Sequence, residues 1–306
     1  MRRTKLLLVL GLTALGAASV ARADDAPGAS DIRIGRLSSS CYAAVSSGGG
    51  SNAGFIVGPK SVLVIDTLGA PARTERLLAA IARITSKPIS ALVLTHWHYD
   101  HVVGDQKLPA GTPIYANKRS HQRLAERLDA DRLLLGQGGG AHGSVGINDV
   151  RLPDKDVEKE TQIDLGGLAV TIAPIRSSAH SCGDLVVWVD SEKVLYTGDL
   201  AVNGYLPNLA DAETFSWINV LAQLRAVPAE RVVPGHGAVG GPEILASQLG
   251  YLMTIRRYVK HLAQAKMSED DIVKGLEIPE QYKKLGFQEW WPENVRFVYR
   301  EIVQGR

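Results

Sequence analysis

Residues 95–101 read Thr95-His96-Trp97-His98-Tyr99-Asp100-His101 and place three histidines and one carboxylate within six positions. They follow the largely apolar run Ile89-Ser90-Ala91-Leu92-Val93-Leu94. Imidazole and carboxylate are the side chains that hold a divalent transition metal such as zinc. Four such groups this close together cannot all be buried without partners, which excludes a plain core strand. The chain has 8 histidines, three of them here, and His180 and His236 sit in similar settings further on. The run is therefore read as a metal site rather than a polar surface turn.

One regularity extends this reading along the chain. Ala91-Leu92-Val93-Leu94 leads to His96, and Val170-Thr171-Ile172-Ala173-Pro174-Ile175 leads to His180. Val194-Leu195-Tyr196-Thr197-Gly198 leads to Asp199, and Val232-Val233-Pro234-Gly235 leads to His236. Strands of a layered sheet present their ends along one edge, so four such ends can bring their loops to one point. Between them the pattern alternates. Strands are expected near 31–37, 41–46, 54–57, 61–66, 91–94 and 113–115 in the first half. In the second half they are expected near 168–175, 184–189, 193–196 and 231–233. Pro71 to Ser86 has helical spacing, with Leu77, Leu78, Ile81 and Ile84 on one face and Pro71 suited to the first turn. Further helices are expected over 117–135 and 212–226, and a mostly helical extension over 240–306. The expected fold class is α/β, sheets covered by helices, with residues 31–306 as one domain.

The first residues read differently. Arg2, Arg3 and Lys5 precede an apolar segment from Leu6 to Val20, and Ala21-Arg22-Ala23 gives a small-x-small cleavage site. That is the pattern of a secretory signal peptide over 1–23, followed by a linker at 24–30. The apolar run is short of the roughly 20 residues a membrane span needs, so no stable membrane anchor is expected after cleavage. A periplasmic or secreted protein follows. Removing 1–23 takes away Arg2, Arg3, Lys5 and Arg22 and no acidic residue, which turns the formal charge of +2 into about −2. No basic cluster remains to bind nucleic acid, and a small-molecule substrate is expected instead. The sequence assigns no oligomeric state. Cys41 and Cys182 stand far apart, make no disulfide framework, and read as buried thiols.

The same residues resemble the metallo-β-lactamase-fold hydrolases. Five segments carry the resemblance, in the family's order: Ser61-Val62-Leu63-Val64-Ile65 ending in Asp66, then Thr95 to His101, Ala179-His180, Thr197-Gly198-Asp199, and Pro234-Gly235-His236-Gly237. The resemblance implies an αβ/βα four-layer sandwich and two metal ions. It assigns His96, His98 and His180 to the first ion, Asp100, His101 and His236 to the second, and Asp199 as the bridge. All-nitrogen-and-oxygen ligation suits zinc, and admits iron or manganese. An Asp at 199, where many β-lactamases of this fold carry Cys or Ser, is more similar to glyoxalase II, lactonases and phosphodiesterases. Thr197 to Leu200 with Asn203-Gly204 in an exported chain also resembles the periplasmic members called quinoprotein-associated metallohydrolases.

The expectation is a zinc-dependent hydrolase in which metal-activated hydroxide attacks a thioester, ester, lactone or amide, with Asp100 assisting proton transfer. A β-lactamase is the runner-up, and a metal-dependent sulfur or redox enzyme using Cys182 is the alternative from another class. Asp66 is expected to fix the site's loops as a hydrogen-bond acceptor. His121 and His261 read as solvated side chains, His142 as part of a glycine-rich loop. Trp290-Trp291, with Tyr282 and Phe287, reads as an anchor for the C-terminal helix. Trp97 and Tyr99 alternate with the ligands and are expected to point away from them.

Overall fold

The structure, a computed structural model, describes residues 32–136 and 147–305. The expected signal peptide, the linker and the loop carrying His142 lie outside the described residues. In chain order the elements begin β1 (Ile32–Arg36), β2 (Cys41–Ser46), β3 (Ala53–Val57), β4 (Val62–Ile65), α1 (Pro71–Ile84), β5 (Ile89–Val93), α2 (Tyr99–Val102), β6 (Ile114–Asn117), α3 (Lys118–Gly136) and β7 (Lys155–Val157). The second half has β8 (Thr161–Asp164), β9 (Ala169–Pro174), β10 (Leu185–Val189), β11 (Val194–Asn203), α4 (Thr214–Leu224), β12 (Arg231–Gly237), α5 (Glu243–Gln264), α6 (Glu269–Gly275) and α7 (Trp291–Val303).

Two sheets result. The first has seven strands in the order β1-β2-β3-β4-β5-β6-β7, the second five in the order β12-β11-β10-β9-β8. In the first, β1 to β4 are antiparallel and β4 to β7 parallel. In the second only β11 and β12 are parallel. The period-two alternation of side chains sorts each strand between two cores. On β4, Val62 and Val64 pack with Leu77 and Ile81 of α1 and Leu124 of α3. Its Leu63 and Ile65 face the other way and meet Val187 and Tyr196 of the second sheet. On β12, Val232 packs with Trp217, Leu252 and Val295 from α4, α5 and α7, and Val233 enters the space between the sheets. The layers are thus helices, sheet, sheet, helices, the αβ/βα sandwich with a helical C-terminal extension. Each fully buried Leu, Ile or Phe contributes roughly 1.5–3 kcal/mol to holding them together.

Several local expectations shift. Ile84 of α1 is 41% exposed, and the buried face is Thr74, Leu77, Ala80 and Ile81. Strands β7 and β8 were not anticipated, because Lys155-Asp156-Val157 and Thr161-Gln162-Ile163-Asp164 are short and mostly polar edge strands. Strands β11 and β12 run on past Tyr196 and Val233, so Asp199 and His236 lie within strands rather than after them. Both cysteines are free, Cys41 in the core between the sheets and Cys182 half-buried against the helix-covered face of the first sheet. Among the described residues no helix is long and apolar enough to cross a membrane.

Candidate metal centre

The seven predicted residues converge from both halves of the chain. His96 and His98 follow β5 in an extended loop, and Asp100 and His101 open the short helix α2. His180 comes from the loop between β9 and β10, Asp199 from β11 and His236 from β12. Strand β11 delivers Asp199 by breaking its ladder. Gly198 pairs with Pro234, the next pairing is Val202 with His236, and the residues between are bulged out. Gly198 has φ 51°, the left-handed region open to glycine, and the bulge turns the carboxylate to the centre.

Donor atoms gather into three groups, each within 4.8 Å: His96, His98 and His180; His96, His101 and Asp199; Asp100, His101 and His236. The first and third reproduce the two ligand sets that the resemblance implied, and the second puts Asp199 between them. His98 Nδ1 stands 3.0 Å from His180 Nε2. His236 Nε2 lies 3.2 Å from Asp100 Oδ2 and 3.3 Å from Asp199 Oδ2. His101 Nε2 lies 3.2 Å from Asp199 Oδ1. Those two atoms are buried and close, yet neither makes a hydrogen bond, and His96 Nε2 has no partner either. Buried polar atoms left this way are costly unless a third group completes them. Imidazole nitrogens and carboxylate oxygens aimed at shared points are the donor set of a divalent cation, so the residues fit a pair of such ions.

The far side of most rings is held. Asp66 accepts from His101 Nδ1 at 2.9 Å and from both the backbone nitrogen and the hydroxyl of Thr95 at 2.8 Å. Its own backbone sits at φ 56°, unusual for a residue with a side chain. Thr95 Oγ1 is 3.1 Å from His96 Nδ1, and the Gly49 carbonyl accepts from His236 Nδ1 at 2.7 Å. Asp211 accepts from His98 Nε2 at 3.1 Å. Sequence reasoning had missed Asp211, which carries no motif and is 113 residues from its partner. These contacts fix which ring nitrogen faces the centre.

Electrostatics follow the same division. Burial holds His96 and His180 below the usual imidazole range, His180 at about 3, and Asp199 only partly opposes it. Burial pulls His101 the same way, but Asp100, Asp199 and Asp66 outweigh it and raise its pKa. His236 is raised to about 10, since Asp199 and Asp100 outweigh the burial that would lower it. Burial would raise Asp199, yet His236 and His101 keep it well below the ordinary carboxylate value. The hydrogen bond from His98 lowers Asp211. The site is built to gather positive charge around its carboxylates.

Other expected residues fall away from the centre. Tyr99 donates to Asp131 of α3 at 2.6 Å, whereas Trp97, with Arg123 5.3 Å over its ring, also packs edge-on against the His98 ring at 4.4 Å. His121 pairs with Asp156 at 2.8 Å, and His261 is exposed on α5. The Cys182 thiol lies 3.9 Å from the Arg119 carbonyl, and burial raises its pKa. Trp291 anchors α7 as expected, buried with its Nε1 2.7 Å from the Leu276 carbonyl. Trp290 does not; it is half-buried and stacks on Phe287.

Comparison with known proteins agrees with this geometry. The family model of the metallo-beta-lactamase superfamily matches residues 47–236. A linear primary-alkylsulfatase from a Pseudomonas species is 23% identical over 292 residues, covering 82% of this chain and 54% of the alkylsulfatase, so the chain spans about half of that relative's length. A type 2 metallo-beta-lactamase of Bacteroides fragilis is 25% identical, covering 70% of this chain and 83% of its own. A hydroxyacylglutathione hydrolase of Rhodospirillum rubrum is 24% identical over 53% of each chain. In fold, the chain is similar to a metallo-beta-lactamase from Pontibacter korlensis, with TM-score 0.56 and 24% identity over 72% of this chain and 99% of that one.

Proposed function

The chain belongs to the metallo-beta-lactamase superfamily, and on that footing we propose that it is an exported hydrolase that holds two zinc ions and cleaves a thioester, ester, lactone or amide. The observation that carries this is the pair of donor sets with Asp199 between them. His96, His98 and His180 would hold one ion, Asp100, His101 and His236 the other, and Asp199 both. When bound, such ions lower the pKa of water from roughly 15.7 to about 7 and polarise the substrate oxygen, which supplies a nucleophile at neutral pH. The donors are all nitrogen and oxygen, which favours zinc and leaves iron or manganese as alternatives. Export rests on residues 1–23, and the compartment that follows is the periplasm or the outside of the cell.

The chain's own side chains divide the remaining tasks. Asp100 is the most open of these carboxylates, 46% accessible against 9% for Asp199. We assign it the task of taking a proton at its carboxylate and handing it to the departing atom. Asp66 and Asp211 hold His101 and His98 in orientation, and the Gly49 carbonyl does the same for His236. No serine or cysteine is required as nucleophile. A sulfur or redox role for Cys182 is disfavoured by a thiol held in its protonated form by burial. The β-lactamase reading draws on the Bacteroides relative and is weakened by Asp199.

The test is a screen of metal-loaded protein against a glutathione thioester, an aryl ester, a lactone and a chromogenic cephalosporin. Thioester, ester or lactone turnover, abolished by a chelator and restored by zinc, is the expected result. Fully loaded protein that turns over none of them overturns the proposal, and cephalosporin turnover alone moves the β-lactamase reading ahead. For export, sequencing of the mature protein should begin at or near Asp24, and an intact Met1 on the exported protein would contradict it.

A further inference from the structure

We propose that Tyr205, Phe287 and Trp290 form a wall that receives the apolar portion of the substrate beside His236. This rests on the hydrolase reading above and adds a substrate class to it: esters or thioesters with an aliphatic or aryl acyl group. The placement comes first. Gly286, in the C-terminal extension, zips onto the end of β11, its nitrogen donating to Gly204 and its carbonyl accepting from Leu206, both at 2.9 Å. Phe287 is thereby laid on Gly49, where a β-carbon would overlap the Phe287 ring and stand 2.9 Å from Tyr205 Cε1. The carbonyl of that same Gly49 holds His236 Nδ1. One residue therefore separates the rings from a candidate metal ligand.

The rings form a continuous face. Tyr205 and Phe287 have centroids 4.7 Å apart, Phe287 and Trp290 4.4 Å with planes 25° apart, and all three remain half-buried. Anchoring the extension falls to a different ring, Trp291 at the start of α7, which is buried against α5 and meets Tyr251 at 6.2 Å. Phe287 has φ 59°, a left-handed conformation natural to glycine and unfavourable for a residue with a ring. Strain of this kind collects where a side chain's position matters more than its backbone's comfort. The matched family region ends at His236, so two of the three rings belong to a segment beyond it. Stacked apolar rings one residue away from a polar centre suit a substrate with a carbonyl at one end and a hydrocarbon at the other.

The experiment compares chain length in two readouts. Aryl esters from acetate through butyrate and hexanoate to octanoate are assayed with zinc-loaded protein. The corresponding free carboxylates are titrated into the same protein by calorimetry. Full burial of a methylene is worth about fourfold in affinity, so one wall should give about twofold per CH2. Phe287→Gly suits the left-handed backbone and should fold, and it should flatten this slope in both readouts, as should Trp290→Ala. Should Phe287→Gly fail to fold, Trp290→Ala carries the same comparison. A wild-type protein without chain-length dependence, or variants that keep the full slope, overturn the wall. Chain-length-dependent carboxylate binding without ester turnover fails the hydrolase reading and keeps the wall, whereas turnover without it does the reverse.

Discussion

Gly235 is packed so closely against Asp199 that a β-carbon at 235 would overlap Oδ1 of the carboxylate and stand 2.8 Å from the Asp199 nitrogen. The residue next to one candidate ligand thus sets the space available to another. Gly235→Ala should push Asp199 off its line between the two donor sets. We expect bound metal to fall from about two equivalents by at least one, with the circular dichroism spectrum retained, and Asp199→Ala to do the same. Two ions kept in both variants, by elemental analysis, would remove Asp199 from the bridging position.

Asp211 makes its hydrogen bond to His98. Its carboxylate accepts from Nε2, which leaves Nδ1 to face His180. Removing such a partner costs roughly 10- to 100-fold in metal affinity. Asp211→Ala should show a loss of this size in competition with a chelator. Asp211→Asn keeps an acceptor and should lose less. Equal affinity in wild type and Asp211→Ala would leave Asp211 without a role in the site.

If no protein side chain is the nucleophile, Cys182→Ala should keep most of the hydrolytic activity on whichever substrate the screen finds. His98→Ala should lose nearly all of it, because one of three imidazoles is gone. The measurement is kcat/KM with metal content determined alongside. A dead Cys182→Ala that retains both ions and its fold would bring the sulfur-chemistry reading forward.

Asp105 gives stability a pH dependence that is separate from the site. It is fully buried, accepts from Arg151 N at 3.1 Å and 3.2 Å, and is raised to about 7 by burial, against the opposing effect of those hydrogen bonds. Folding therefore favours its protonated form. The stabilisation is whole below the ordinary carboxylate pKa of about 4 and is lost as pH rises through about 7. Asp105→Asn keeps an acceptor and cannot ionise. At pH 8 the variant should be more stable than wild type by an amount on the order of 2 kcal/mol, read as a higher Tm, and the gap should close toward pH 4. A gap that does not change with pH would show that Asp105 is not ionising in this range.

Much of the site was legible because its ligands cluster at the ends of apolar runs. The apolar runs at Val62 to Ile65 and Val232-Val233 were enough to expect layered sheets, and the structure sorts those residues into opposite cores. Edge strands β7 and β8 escaped because edge positions need little burial and leave little apolar pattern. The continuation of β11 escaped because its bulge and Gly198 read as a strand end. Asp211 and the Tyr205–Phe287 stack could not be read at all. Each depends on a contact between distant residues whose types are ordinary on loops.

The seven converging residues run from His96 to His236, and neither half of the chain holds a complete set. Ions bound there would act as reversible cross-links, closing loops of chain between His101, His180, Asp199 and His236 much as covalent bridges would. Metal content then becomes a gauge of whether the two sheets are packed together. Chelation should lower the unfolding temperature of the whole molecule, and a cell short of the metal would have less folded protein as well as less activity.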